Sequence, residues 1–244
     1  MPNQFKGTHL SSQAPHYPMP PLTYEKNRML AIVIKTSPKV LRALVPEPLF
    51  VNPDGRLIIY VGELNIVSPC QASYYEAGIM IPASDGHEEG VYMPVLYLDK
   101  TLPIVIGREV WGYPKFQAEL SLREESGVVH ARVKSEGTSL IDATLHLGDP
   151  IPPTNMSPHT IFLMKMIPSV QEPSAYDVKQ LTTAVLRDEV RQEMYPGEGT
   201  LKLGSTESDP LGKIPVLEIE ACSFFTGGFV LDYGRVVYNF LEKK

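Results

Sequence analysis

Proline is the residue type that most limits what this chain can fold into. It occupies 23 of the 244 positions, about twice its usual share of ~5%. Because proline fixes φ and cannot donate a backbone hydrogen bond, long uninterrupted helices are disfavoured. Short apolar stretches bounded by turn residues recur at intervals of roughly 8 to 12 residues, a spacing typical of sandwiches and barrels. The pattern therefore favours a β-rich fold over a helical bundle or a doubly wound α/β sheet.

The predicted elements are short and follow one another without a linker. Helices are expected at 38–45, where Pro38 follows Ser37 at a first-turn position, and at 235–241. Alternating or apolar stretches predict strands at 29–34, 56–67, 72–81, 90–98, 117–122, 128–133, 139–147, 181–190 and 216–225, with a further apolar run at 161–167. No internal repeat occurs and composition does not change along the chain, so residues 23–244 are predicted to be a single domain. Residues 1–22, rich in proline, are expected to form an extended arm.

Composition excludes several classes of protein. The formal net charge is −6 without a run of lysine or arginine, which argues against nucleic-acid binding. No stretch approaches ~18 consecutive apolar residues, so no membrane span is predicted, and the polar start lacks the apolar core of a signal peptide. Cys70 and Cys222 form no CxxC pair and the histidines are scattered, so no metal site is predicted. We expect a soluble, cytoplasmic protein with reduced cysteines.

The segment 104–116 is the most informative one for chemistry. It contains the single tryptophan, Trp111, and places Lys115 between Pro114 and Phe116. Burial of an ammonium group is costly, so a lysine among apolar neighbours can be held as the neutral amine that a Schiff-base nucleophile requires. Taken alone, a lysine after a Tyr-Pro turn more often extends its amine to water. Lys165 also interrupts an apolar run, and composition does not decide between the two lysines.

The chain resembles the acetoacetate decarboxylase family at several points that follow the family order. Gly107-Arg108-Glu109 followed by Tyr113-Pro114-Lys115 resembles the family signature. The further landmarks are Val45-Pro46-Glu47-Pro48-Leu49, Tyr75-Glu76-Ala77-Gly78, Ile81-Pro82, Leu96-Tyr97-Leu98-Asp99 and Lys165-Met166-Ile167-Pro168. The resemblance extends from about residue 25 to 170 and is fainter beyond. No single piece is decisive, but the ordered set is highly specific.

The resemblance implies roles for individual residues. In that family the lysine matching Lys115 forms an imine with a β-keto acid, and it is an established example of an amine activated by its surroundings. Glu76 matches an active-site carboxylate. Arg28 matches an arginine of the same polar network, which would keep Glu76 ionised or meet the substrate carboxylate. Lys165 matches a family lysine that does not form the imine, and it is assigned a structural role.

Two positions depart from the best-known members of the family. Phe116 stands where those members carry a second lysine, so burial rather than an adjacent cation must favour the neutral form of Lys115. The position of a further family carboxylate, fifteen residues before Glu76, is Val61 here. Glu63 faces the same side of a regular strand and would replace it if the strand is shifted. The predicted substrate-binding residues are Tyr113, Phe116, Val61, Glu63 and Tyr97, and Arg108 and Glu109 are expected to form a local ion pair.

The resemblance implies a β-rich α+β fold, an antiparallel barrel-like sheet with short peripheral helices, and a homo-oligomer. The predicted function is a cofactor-independent lyase in which a Lys115 Schiff base decarboxylates acetoacetate or a related β-keto acid. One alternative keeps the imine but performs aldol-type or dehydratase chemistry on keto acids, and another is a non-catalytic small-molecule binding domain. The expected partners are a small β-keto acid and further copies of the chain, with no metal, nucleic acid or membrane.

Overall fold

The computed structural model of the chain describes residues 16–155 and 159–242, and most of them lie in strands. The helices are α1, Pro38–Leu44, and α2, Thr101–Ile106; α2 continues into a π-helical turn at Gly107–Trp111, and a 3-10 turn lies at Leu211–Lys213. In chain order, strands β1 to β15 are Leu22–Lys35, Phe50–Val51, Arg56–Ser68, Ala72–Ser84, Glu89–Tyr92, Leu96–Leu98, Lys115–Gln117, Glu119–Glu125, Val128–Ser135, Thr138–Leu147, Thr154–Asn155, His159–Pro168, Tyr176–Leu203, Glu218–Asp232 and Val236–Asn239.

Strands from distant parts of the chain form a closed ring. Their order is β12-β5-β4-β3-β1-β14-β13, and β13 pairs again with β12. Neighbours in this ring are antiparallel except β12 and β5, which are parallel. Beyond the ring, the far end of β13 continues the sheet into β10, β9 and β8. This ring-like, largely antiparallel sheet with short helices confirms the predicted fold class.

Side chains that alternate along β1, β3 and β4 build two hydrophobic clusters, one on each face of these strands. The first cluster holds Leu30, Ile59 and Ala77, together with side chains from β8, β9 and β10. The second cluster holds Tyr24 and Tyr60 and faces the inside of the ring. A shift of one residue along any of these strands therefore moves a side chain from one cluster to the other.

The predicted strand 181–190 is part of the much longer β13, and the predicted strand 117–122 spans the end of β7 and most of β8. Two further predicted elements differ in number or in kind. The single strand predicted over 90–98 is two strands, β5 and β6, because Pro94 between them cannot donate to a ladder. The helix predicted over 235–241 is strand β15, which pairs with β13. Val236, Val237 and Tyr238 are β-branched or aromatic residues that suit a strand packed on a sheet better than a short helix.

The N-terminal segment 1–22, predicted as an extended arm, is described only from residue 16 onward. Tyr17 is buried, and its hydroxyl donates a hydrogen bond to a carboxylate oxygen of Glu109 at 2.5 Å. Leu22 already opens β1. The described end of this segment therefore packs on the body of its own chain. Neither helix in the described part of the chain has the length and apolar character that crossing a membrane requires.

Candidate active site

The ring encloses a cavity of about 680 Å³ whose walls are mostly apolar. Side chains from every strand of the ring line it, including Met29, Leu64, Ile161 and Phe229. Lys115 also lines it, from β7 just outside the ring. A largely apolar cavity with a few convergent polar groups is the usual form of a small-molecule site.

The turn before Lys115 explains why the signature residues are needed. Lys115 opens β7, pairs with Leu96 of β6, and is only 6% exposed. Gly107 lies beside its side chain: a Cβ there would come within 2.7 Å of Lys115 Cδ and 2.8 Å of Cε. Arg108 donates a hydrogen bond from Nη1 to the Lys115 carbonyl oxygen at 3.2 Å. The glycine makes room for the lysine stem, and the arginine holds the lysine backbone.

Lys165 supports this turn from the outside. Its Nζ donates to the Val110 carbonyl oxygen at 3.1 Å. Gly112 has a φ of +89°, and a Cβ there would lie 2.5 Å from Lys165 Cα, so only glycine fits this close crossing. Burial lowers the pKa of Lys165, and the nearby Glu109 carboxylate opposes that shift. Lys165 does not line the cavity. Of the two candidate lysines, only Lys115 reaches it.

Lys115 and Glu76 form a buried charge pair. The distance from Lys115 Nζ to Glu76 Oε2 is 3.0 Å, and the two side chains are 6% and 10% exposed. Tyr60 donates a hydrogen bond from its hydroxyl to the other carboxylate oxygen, Oε1, at 2.7 Å. Oε2 has no directed hydrogen bond from any described residue. One oxygen of Glu76 is thus fixed by Tyr60, while the other faces the amine and is free to accept a proton.

Tyrosine rings surround this pair. The centroid of the Tyr113 ring lies 4.9 Å from Lys115 Nζ and that of Tyr74 lies 5.9 Å away, distances at which a ring face attracts an ammonium group. Burial raises the pKa of Tyr60, Tyr74 and Tyr113 well above the ordinary value, and the Glu76 charge raises each further. All three phenols are therefore neutral at physiological pH.

Tyr113 was predicted from the sequence, but Tyr60 and Tyr74 were not. The available signal was strand alternation, because Tyr74 lies two residues from Glu76 on β4 and therefore shares its face. The position of Tyr60 can be predicted only if the pairing of β3 with β4 is known, because Tyr60 lies opposite Gly78. A Cβ at Gly78 would lie 3.2 Å from the Tyr60 ring, so this glycine makes room for the phenol.

Arg28, Val61 and Glu63 do not line the cavity within the described chain. Val61 belongs to the cluster on the opposite face of β3. Arg28 pairs instead with Glu63, with 3.2 Å between Nη1 and Oε2. The cause is a bulge at Lys26, whose φ is +53°. It shifts the alternation of β1 between Tyr24 and Asn27, so that Asn27 faces the cavity and Arg28 faces away.

Other sequence-predicted residues also lie elsewhere. Phe116 is 52% exposed, because it follows Lys115 on a strand and points to the other side. Tyr97 is buried, but its hydroxyl donates to a carboxylate oxygen of Asp209 away from the cavity. The expected ion pair between Arg108 and Glu109 is replaced by the contacts of Arg108 with the Lys115 carbonyl and of Glu109 with Tyr17. Within residues 16–155 and 159–242, no three His, Cys, Asp or Glu side chains are grouped to hold a metal ion.

Comparison with known proteins gives consistent matches over nearly the whole chain. The family model described as acetoacetate decarboxylase (ADC) matches residues 1–241. A relative from Mesorhizobium japonicum, named acetoacetate decarboxylase 2, is 29% identical over 234 residues, which cover 94% of this chain and 88% of the relative.

Solved structures share the fold. A structure of acetoacetate decarboxylase matches with a TM-score of 0.86 at 23% identity, covering 99% of this chain and 100% of that one. The enduracididine biosynthesis enzyme MppR, complexed with the condensation product of pyruvate and imidazole 4-carboxaldehyde, matches with a TM-score of 0.79 at 15% identity over 92% of both chains. At these identities the structural matches establish the architecture of the ring and no more.

Proposed function

The chain belongs to the acetoacetate decarboxylase family, and on that premise we propose that it decarboxylates a β-keto acid through a Schiff base on Lys115. Its relatives support a decarboxylase-like lyase activity. The proposal of a Schiff base on Lys115 rests on one observation. Lys115 Nζ and Glu76 Oε2 make a buried contact of 3.0 Å at the wall of an apolar cavity.

The pair supplies both an amine and an acid. Glu76 takes a proton from the Lys115 ammonium group through Oε2, which leaves a neutral amine and a carboxylic acid. The separation of 3.0 Å between Nζ and Oε2 allows this transfer to be direct. The amine attacks the keto carbon and forms the C–N bond. The attacking nitrogen passes one proton to the new alkoxide, and Glu76 returns its own proton to the resulting hydroxyl group. The C–O bond then breaks, the oxygen leaves as water, and the nitrogen lone pair completes the iminium.

Loss of carbon dioxide follows from the iminium. The bond between the α-carbon and the carboxylate breaks, and its electron pair passes into the iminium to form an enamine. The apolar walls disfavour the charged carboxylate more than neutral carbon dioxide, so they assist this step. Proton uptake at the α-carbon and addition of water then release the ketone and restore Lys115. Tyr60 keeps Glu76 oriented throughout, because its hydroxyl donates to Oε1.

Aldol-type chemistry is the second candidate, because it starts from the same imine; MppR, which shares the fold, is complexed with a condensation product. Both reactions share the imine. Aldol-type turnover also needs a base placed to remove and return protons on carbon or oxygen. The carboxylates in the cavity wall other than Glu76 are Glu89 and Glu189, on β5 and β13. Glu189 is engaged with His159 and Arg191, and Glu89 is exposed. Glu76, 3.0 Å from Lys115 Nζ, is therefore the carboxylate placed to act at the amine, and decarboxylation is the simpler use of this site.

One experiment separates these readings. The protein is incubated with acetoacetate, treated with borohydride, and analysed for carbon dioxide release and for the mass added to each lysine peptide. We expect carbon dioxide and an adduct on Lys115, with both lost in Lys115→Met and retained in the matched control Lys100→Met, an exposed lysine. An adduct without carbon dioxide, together with a condensed product from pyruvate and an aldehyde, would establish the aldol-type reading. Binding without an adduct would indicate a non-catalytic domain.

We also propose that the chain forms a single domain over 23–244 and a cytoplasmic homo-oligomer. Large apolar side chains are exposed on the described surface, with Val170 at 91%, Leu217 at 67% and Phe50 at 63%. Only a contiguous patch of such side chains marks an interaction site, so the proposal of a homo-oligomer rests on the resemblance to the family. Light scattering at micromolar concentration is expected to give a multiple of 27.1 kDa. A particle of one chain mass would contradict the proposal.

A further inference from the structure

The cavity is much larger than the smallest substrate of its proposed reaction. Cavities of roughly 300 to 1,000 Å³ enclose drug-sized ligands, and this one measures about 680 Å³. Acetoacetate would therefore occupy a small part of it beside Lys115. The remaining space has to be filled by water or by more of the substrate. Because most of the wall is apolar, filling it with water is the poorer solution.

The strand register shows where this space lies. Glu76 of β4 pairs with Gly62 of β3, Gly62 with Met29 of β1, and Met29 with Phe225 of β14. In the ring, β14 and β13 stand across from β4, since β3 and β1 separate them on one side and β5 and β12 on the other. The cavity therefore extends from the lysine and carboxylate to an opposite wall that contains Phe225.

The opposite wall is mostly apolar, and one end of it carries an arginine and a glutamate of opposite charge. Leu186, Phe229 and Leu231 line it together with Phe225. The guanidinium carbon of Arg191 lies 4.4 Å from the centroid of the Phe225 ring. Arg191 is itself paired with Glu189 at 3.3 Å between Nε and Oε1. This pairing compensates the arginine charge, so a second carboxylate on the substrate would meet Glu189 as well as Arg191.

We propose that the substrate is a β-keto acid with an extended apolar acyl chain, which reaches from the Lys115 imine across the ring to Phe225. The proposal rests on the Schiff-base decarboxylation proposed above and adds the substrate class. In this arrangement the keto acid head lies between Lys115 and Glu76. The acyl chain lies along the wall formed by Leu186, Phe229 and Leu231.

A chain-length series tests the proposal. The values of kcat/KM for carbon dioxide release are measured with acetoacetate, 3-oxohexanoate, 3-oxooctanoate and 3-oxo-3-phenylpropanoate, with 3-oxoadipate as the substrate that carries a second carboxylate. Burial of each added methylene should raise kcat/KM about three- to fourfold, so 3-oxooctanoate, with four more methylenes, should exceed acetoacetate by about 80- to 250-fold. A flat or falling series would overturn the proposal, and so would 3-oxoadipate exceeding 3-oxohexanoate.

Two variants connect the effect to this wall. Leu186→Trp places a larger side chain across the ring and should lower the ratio of kcat/KM for 3-oxooctanoate to that for acetoacetate at least tenfold. Met166→Trp, at a position 46% exposed on β12 and outside the cavity, is the matched control and should keep the parent ratio. Leu186→Phe is the milder change should the tryptophan variant not fold. An unchanged ratio in a folded Leu186 variant would overturn the proposal.

The same assays distinguish this proposal from the reaction on which it rests. If acetoacetate is decarboxylated and trapped on Lys115 but longer chains are not preferred, only the substrate class is wrong. If no β-keto acid releases carbon dioxide or is trapped, the reaction itself is wrong. A binding assay then tests the apolar part of the cavity without turnover. It compares how well 2-nonanone and 2-propanone protect Lys115 from chemical modification. Equal protection by both ketones would overturn it.

Discussion

Gly107 and Lys115 are eight residues apart in sequence, and the missing side chain of the first makes room for the second. A Cβ on Gly107 would lie 2.7 Å from Lys115 Cδ, closer than non-bonded carbon atoms approach. Gly107 follows the last residue of α2, and Lys115 opens β7. The glycine therefore determines how far the lysine side chain can extend along this turn toward Glu76.

Gly107→Ala should lower activity without unfolding the protein. The new methyl group would push the lysine stem aside and move the amine from Glu76 by a fraction of an ångström or more. A displacement of about 1 Å in a reacting group can cost on the order of a hundredfold in rate, so we expect a loss of ten- to a hundredfold in kcat and a lower yield of borohydride adduct.

Gly137→Ala is the control for this change. Its φ is +77° and a Cβ there meets nothing within 4 Å, so alanine introduces backbone strain without a new contact. We expect a loss of about 1 kcal/mol in the free energy of unfolding, with kcat unchanged. Parent-like activity in Gly107→Ala would show that the lysine tolerates the methyl group.

Tyr60→Phe should impair the proton transfers of Glu76. The substitution removes the hydrogen bond of 2.7 Å from the phenol to Oε1, so the carboxylate loses the group that orients it. We expect kcat to fall about tenfold, a modest share of what an acid–base group contributes, with a changed pH–rate profile.

Tyr97→Phe is the matched control, because it removes a buried phenol hydroxyl whose partner is Asp209 and which is outside the cavity wall. It should change stability and leave the pH–rate profile as in the parent. Equal losses in the two variants would show that Tyr60 acts only through the packing of the fold.

Arg28→Gln should leave catalysis nearly unchanged. The Arg28 and Glu63 side chains are 34% and 28% exposed and face away from the cavity, so the substitution removes a partly exposed ion pair. Such pairs contribute at most about 1 kcal/mol to stability. We expect KM and kcat for the best β-keto acid to stay within about twofold of the parent. A tenfold rise in KM would indicate that Arg28 binds the substrate carboxylate, and would contradict its position facing away from the cavity.

The contrast between Lys115 and Arg28 shows what the sequence can predict. The place of Lys115 in the cavity wall was predictable from the family signature, because Gly107, Arg108 and Pro114 are close to it in sequence and the motif contains their spacing. The direction of the Arg28 side chain depends on how side chains alternate along β1. Regular alternation starting from Tyr24 would place Arg28 in the cavity. The bulge at Lys26 reverses that phase. Lys26 is not a residue type that signals a positive φ, so the sequence did not indicate the bulge.

The fold shows the same division between local features, which the sequence predicts, and long-range pairings, which it does not. Turn residues and proline predicted most strand positions, because they terminate strands locally. The ring itself depends on pairings between remote segments, such as β12 with β5 and β1 with β14. The composition of each strand is compatible with several such pairings. The β-rich class therefore followed from the sequence pattern, and the barrel-like sheet from the resemblance to a family. The tyrosines that β3 and β4 bring around Lys115 became visible only in the structure.

The buried tyrosines should make stability fall steeply at high pH. Burial and the Glu76 charge raise the pKa of Tyr60, Tyr74 and Tyr113 well above the ordinary value of 10.0. Below pH 10 these phenols are protonated in both the folded and the unfolded chain, so they add no pH dependence. Above pH 10 the unfolded chain loses these protons and the folded chain keeps them, so the free energy of unfolding decreases as pH rises. Each such phenol contributes up to about 1.4 kcal/mol per pH unit.

Urea unfolding between pH 8 and 11.5 measures this slope. Tyr113→Phe should make the decline above pH 10 shallower by about 1.4 kcal/mol per pH unit, because one of the phenols that titrates only on unfolding is removed. Phe229→Leu, which changes the apolar wall of the same cavity and removes no titratable group, should lower stability at every pH and keep the parent slope. A parent slope in Tyr113→Phe would mean that this phenol ionises equally in both states, and would contradict its burial beside Glu76.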